Sequence, residues 1–300
     1  MENMEKLIRT ADLEIAYREH GDPSAFPVIL LHGFPDDAHA YDEVAEKLAA
    51  EGYRAIAPYL RGFGPTRFLD SGTPRVGQQA AIGSDLIQLI EGLHLERVGL
   101  VGHDWGGRAA CIAAARIPGR IRCLVAIQGY TIQNTLRPFV QASALQERRY
   151  WYQWYFCTER GRRGLEQNRQ ALCRLLWEEW SPTWRFEEAR FRITAASFDN
   201  PDFVPVVIHS YRHRNGQAEG LARYAEMEEQ LAARPPIRVP TLILHGAEDH
   251  VSPPELSERQ EDVFVSAYER HVLPGIGHFP AAEAPDLVAL ETLRFLSATA

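Results

Sequence analysis

Arg97-Val98-Gly99-Leu100-Val101-Gly102-His103-Asp104-Trp105-Gly106-Gly107-Arg108-Ala109-Ala110 joins a strand signal, a turn signal and a helix signal in one short segment. Val98 to Val101 is a brief apolar run with the β-branched content of a buried strand. The run from Arg108 through Ala113 and Ala114 to Arg116 is rich in strong helix formers. Between them, Gly102 and Gly106 flank Asp104 at two residues on either side. That is the spacing of a nucleophile elbow, with a carboxylate where Gly-x-Ser-x-Gly has a hydroxyl. Small neighbours are needed because the central residue of so tight a turn is strained and other backbone must pass close to it.

Outward from this segment the chain alternates strands and helices. Residues 13–19 alternate apolar and polar, as in an antiparallel strand wet on one face. Residues 26–31 read as a buried strand that runs into the irregular loop His32-Gly33-Phe34-Pro35. A helix is predicted over 41–50, a strand over 54–58, a helix over 82–93 and a strand over 123–127. The rhythm stops at about residue 131. A long, aromatic, helical stretch follows and carries five of the six tryptophans: Trp151, Trp154, Trp177, Trp180 and Trp184. Strands return at 240–244 and 268–273, and an amphipathic helix covers roughly the last fifteen residues. The pattern predicts an α/β core over 1–130 and 228–300, mostly parallel and flanked by helices, with a helical cap inserted at 131–227.

Composition narrows the class. The chain has 300 residues, 45% hydrophobic and 24% charged, with net charge −8. That charge argues against nucleic acid as a partner. No apolar run has the length of a membrane span, and residues 1–10 carry charges where a signal peptide needs an apolar core. Cys111, Cys123, Cys157 and Cys173 show no metal spacing and read as reduced thiols of a cytoplasmic protein. His209, His213 and His250 show none either, so no metal or organic cofactor is expected. A monomer or homodimer acting on a small molecule is the expectation.

Reactive groups of an open parallel sheet gather beyond the carboxyl ends of its strands. Asp104, Asp249 and His278 each follow a predicted strand, in the chain order nucleophile, acid, histidine. The strand ending at Ile127 is followed by Gln128 and no acid, which leaves Asp249 to orient the histidine. His32-Gly33-Phe34-Pro35, Gly102-His103-Asp104-Trp105-Gly106-Gly107, the Asp249 loop and Gly277-His278-Phe279-Pro280 together resemble the Asp-nucleophile branch of the α/β-hydrolase family. That branch contains epoxide hydrolases, haloalkane dehalogenases and haloacetate dehalogenases.

The resemblance implies a two-step reaction. Asp104 attacks a saturated carbon to form an ester, and His278, oriented by Asp249, activates the water that hydrolyses it. The backbone N–H groups of Phe34 and Trp105 would form the oxyanion hole. Tyr150-Trp151-Tyr152-Gln153-Trp154-Tyr155-Phe156 and His209-Ser210-Tyr211-Arg212 resemble the two cap segments of epoxide hydrolases. They point to Tyr152 and Tyr211 as the phenols that hold the epoxide oxygen, with Tyr155 as the alternative to Tyr152. An apolar epoxide is the expected substrate, walled by Phe34, Trp105 and Trp154, with His32, Pro35, Gln153, Trp154, Tyr155 and Arg108 as further substrate-binding candidates. Phe34 lacks the side-chain amide that haloalkane dehalogenases usually carry there. Arg108 matches one of two arginines with which haloacetate dehalogenases grip a carboxylate, while Trp105 replaces the other. A haloacetate or haloalkanoate dehalogenase is therefore the alternative.

Overall fold

The computed structural model describes residues 5–137 and 142–299. A short strand, β1 (Lys6–Arg9), and the alternating β2 (Leu13–His20) form an antiparallel pair. Next come β3 (Phe26–Leu31), α1 (Asp42–Ala50), β4 (Tyr53–Pro58), the two-residue β5 (Arg67–Phe68) and α2 (Gln79–Gly92). The elbow segment is β6 (Val98–His103) running straight into α3 (Asp104–Arg116), and β7 (Ile121–Ile127) follows. From Ala144 to Ala232 the described residues contain helices and no strand: α4 (Ala144–Arg149), α5 (Trp151–Cys157), α6 (Glu159–Trp180), α7 (Glu188–Ala196), α8 (Phe203–Arg214) and α9 (Ala225–Ala232). The chain closes with β8 (Thr241–Gly246), β9 (Tyr268–Leu273), α10 (Pro280–Glu283) and α11 (Pro285–Ala298).

The sheet order is β1-β2-β4-β3-β6-β7-β8-β9, with β5 paired to β2. Pairings from β4 to β9 are parallel, and those of β2 are antiparallel. The sequence pattern had this cause. Every residue of β6 is buried, because helices cover both faces of a parallel sheet, so the strand reads as an unbroken apolar run. Residue 104, the turn itself, is also the first residue of α3, so that helix starts four residues earlier than the Ala-rich run suggests. Strands β1 and β5 were not predicted: four and two residues are too few to show a period.

Buried contacts seat the helical segment on the sheet. The Trp177 indole donates to the Pro35 carbonyl at 2.8 Å and packs on Trp184, Phe186, Phe191 and Phe279. Asp37, fully buried, accepts from Thr194 and Ser197 of the helical segment. Burial of one large apolar side chain stabilises by roughly 1.5–3 kcal/mol, so this aromatic cluster holds the two layers together more firmly than the polar contacts do.

Candidate active site

Asp104 has φ +50°, left-handed for a residue that is not glycine. The turn is possible because its neighbours are bare. A Cβ on Gly33 would lie 2.4 Å from the Asp104 Cβ, and one on Gly106 would lie 2.4 Å from the carbonyl oxygens of Leu31 and His32. With those positions empty, the Phe34 N–H reaches Asp104 Oδ1 at 2.9 Å. The Trp105 N–H lies in the first turn of α3, where backbone donors have no partner within the helix. His32 is buried, accepts from Leu60 N–H through Nε2 at 3.0 Å, and has Nδ1 3.0 Å from the Gly33 carbonyl, so it braces the loop.

His278 sits past β9 in a loop held at both ends. Its own N–H donates to Ser181 Oγ at 2.7 Å, and the N–H groups of Gly277 and Phe279 donate to Glu283 at 2.8 Å each. Its Nδ1 donates to Asp249 Oδ2 at 2.9 Å, while its Nε2 is buried without a protein partner among the described residues. Asp249 Oδ1 is fixed by the N–H groups of Val251 and Ser252, at 3.0 and 2.7 Å. Burial works against charge on both side chains. For His278 the Asp249 carboxylate, with Asp104 and Glu283 beyond it, outweighs burial and raises the pKa above 6.5. For Asp249 the imidazole outweighs burial and lowers it. His103 packs edge-on to His278 at 4.8 Å between centroids, and burial pushes its pKa down to about 3. It is a neutral wall.

One cavity of about 150 Å³ meets Asp104 and His278 on the sheet side and Tyr152 and Gln153 on the helical side. Tyr152, on α5, accepts from the Gln153 amide at 3.1 Å. Tyr211, on α8, packs edge-on to Tyr152 at 5.4 Å and to Phe34 at 5.5 Å. Burial raises both phenol pKa values, so both hydroxyls keep their protons.

The model for the alpha/beta hydrolase fold matches residues 27–285 of this sequence. The chain belongs to that family, and it is a hydrolase. A solved structure from Klebsiella pneumoniae subsp. pneumoniae MGH 78578, provisionally described as an epoxide hydrolase, is 42% identical over 97% of this chain and 96% of its own, with TM-score 0.94. Epoxide hydrolase A of Mycobacterium tuberculosis is 27% identical over 98% of this chain and 97% of its own length. A fluoroacetate dehalogenase of a Burkholderia species is 35% identical, but over 43% of this chain and 41% of its own length.

Several expected site residues of this hydrolase lie elsewhere. Trp154 is 41% exposed, and its indole donates to Glu147, because it is on the outer face of the short α5. Tyr155 is one turn from Tyr152 but turned aside, with its hydroxyl against Gly164 of α6. Both ring nitrogens of His32 are taken up by backbone, and the Pro35 carbonyl is held by Trp177, so neither lines the cavity. The rings of Phe34 and Trp105 stack at 5.8 Å behind the cavity. Its wall is mostly polar, with Ile132, Val251 and Leu256 the apolar share, and not the apolar pocket expected.

Two residues of the site were given no role in the sequence analysis. Gln128, at φ +79° just past β7, donates through Nε2 to Asp249 Oδ2 at 2.7 Å. Nε2 also lies 2.7 Å from His278 Nδ1. Its place at a strand end, the rule used for the three acid and base residues, was the available signal. Arg214 lines the cavity beside Arg108, and its signal was position: three residues after Tyr211 on one helix face.

Proposed function

We propose that this hydrolase opens a small epoxide to a vicinal diol through an ester on Asp104. A single observation carries the reading. The Asp104 carboxylate, the His278 Nε2 that has no partner among the described residues and a protonated phenol, Tyr152, border one cavity. In the first step an Asp104 oxygen attacks one ring carbon, the C–O bond breaks, and the leaving oxygen takes a proton from Tyr152 or Tyr211. In the second step His278 Nε2 removes a proton from water, and the hydroxide attacks Cγ of Asp104. The oxyanion formed there takes hydrogen bonds from the N–H groups of Phe34 and Trp105. Collapse breaks the bond from Cγ to the diol oxygen, which takes the proton of the hydroxyl newly added at Cγ and restores the Asp104 carboxylate; the imidazolium proton returns to the phenolate. A carboxylate nucleophile suits this substrate, since its attack on an ordinary ester would give an anhydride.

The second reading, removal of halide from a short haloacid, uses the same nucleophile. It draws on Arg108 and on the local likeness to the fluoroacetate dehalogenase. Epoxide opening is the better fit because a departing alkoxide needs a proton, and the buried phenol of Tyr152 borders the cavity with Asp104 while that of Tyr211 packs against Tyr152. The test is His278→Gln incubated with a small epoxide, propylene oxide, and, separately, fluoroacetate. Intact mass is expected to rise by one epoxide and not by one carboxymethyl group. An adduct from fluoroacetate alone would favour the dehalogenase, and the absence of any adduct would count against the ester.

A further inference from the structure

Two buried or half-buried arginines of this chain behave differently from a third. Arg61 is fully buried and fully satisfied: Asp85 takes a two-pronged ion pair from it at 2.6 and 2.7 Å, and the Val76 carbonyl accepts at 2.9 Å. That is how a structural guanidinium is kept in a protein interior. Arg108 is also buried, 5% exposed, yet no carboxylate pairs with it among the described residues. It makes one hydrogen bond, Nε to the Thr131 carbonyl at 3.0 Å, and presents the rest of its fork to the cavity. Arg214, on α8, borders the same cavity and has no ion pair or hydrogen bond among the described residues; it lies over the Tyr150 ring at 5.7 Å.

Burying a guanidinium without a counterion is costly, and two facing one small cavity cost more. Burial and the nearby Arg214 together hold the Arg108 pKa below its ordinary value, with Asp104 pulling the other way. The arrangement is stable at low cost when an anion occupies the cavity, which the forked geometry of guanidinium suits.

We propose that Arg108 from the sheet side and Arg214 from the helical side form a carboxylate subsite, and that the substrate is a small epoxide bearing a carboxylate next to its ring. The proposal rests on reading Asp104 as the nucleophile that faces this cavity. Size and charge favour a carboxylate over a phosphate. A cavity of about 150 Å³ holds a molecule of benzene size, and so an epoxy acid of a few carbons. A dianion would be repelled by the Asp104 carboxylate more strongly than a monoanion. Anchoring the carboxylate also fixes which ring carbon meets Asp104.

The test separates binding from turnover. Calorimetry measures glycerate, the diol that oxirane-2-carboxylate would yield, against glycerol and inorganic phosphate, on the wild type and on Arg214→Gln and Arg214→Lys. Arg214 is chosen because it is half-exposed, whereas replacing buried Arg108 could unfold the chain. Glycerate is expected to bind roughly 10- to 100-fold tighter than glycerol. Arg214→Gln is expected to lose about 10-fold of that, and Arg214→Lys to recover part of it. Glycerate no tighter than glycerol, phosphate tighter than glycerate, or an Arg214→Gln variant with undiminished affinity would each overturn the subsite. In turnover, kcat/KM for oxirane-2-carboxylate is expected to exceed that for its neutral amide by about 10-fold or more. Tight glycerate binding through Arg214 with no opening of either epoxide would uphold the subsite and contradict the reaction proposed above.

Discussion

The two sides of the cavity are built by different means. On the sheet side, Asp104, Asp249 and His278 stand directly past β6, β8 and β9, and backbone N–H groups hold each of them in place. On the helical side, Tyr152, with Tyr211 packed against it, and Arg214, over the Tyr150 ring, are placed by aromatic packing on α5 and α8, with few backbone hydrogen bonds to fix them. The sheet side is thus rigid through main-chain geometry, and the helical side through side-chain contact. Chemistry common to a family belongs on the first, and substrate choice on the second.

Substitutions on the two sides should differ accordingly. Asp104→Ala is expected to abolish turnover, a loss on the order of 10⁴-fold or more in kcat with the fold retained by circular dichroism. Residual activity near wild type would mean that the sheet side is not the reacting side. Asp249→Asn comes next, with a loss of roughly 10²- to 10⁴-fold. It carries a pH signature as well. His278 must be neutral to accept a proton, and Asp249 raises its pKa above 6.5, so the acidic limb of the wild-type kcat profile should lie above pH 6.5. Removing the carboxylate should move that limb down, and an unmoved limb would detach the pair from the water-activating step.

Tyr152→Phe and Tyr211→Phe test the helical side. Each is expected to slow epoxide opening by about 10- to 100-fold, and the pair together by more, within the range of general acid catalysis. Unchanged rates in the double variant would leave proton delivery to water. Gln128→Leu is the mildest, costing about 10-fold or less, because it removes one hydrogen bond to a carboxylate that keeps two backbone donors.

The same contrast explains what could be read from the residue string. Asp104, Asp249 and His278 were legible because a strand end is a local event: a short apolar run, a glycine or two, then the reactive side chain. Tyr152 could be named only by likeness to cap segments, and Tyr155 could not be separated from it, since one helical turn apart they face nearly the same way along α5. What separates them is Gly164 of α6, which leaves room for the Tyr155 hydroxyl on the far side. Trp154 was misplaced for the same reason: a large aromatic looks like core until the exposed face of its helix is known. Arg108 and Arg214 come from α3 and α8, and their joint placement follows from how the helical segment sits on the sheet, which no local pattern encodes. Strand β1 carries two charges in four residues and reads as loop, as a short edge strand does.

Turnover of an epoxide in water enriched in oxygen-18, followed by mass spectrometry of the peptide that contains Asp104, tests the ester most directly. Hydrolysis of an ester at Cγ puts one solvent oxygen into the Asp104 side chain, and in a single turnover the diol leaves with an oxygen taken from the protein. The expected result is label on Asp104 and an unlabelled diol from the first turnover. Label in the first-turnover diol with none on Asp104 would mean that water attacks the epoxide itself, and Asp104 would not be the nucleophile.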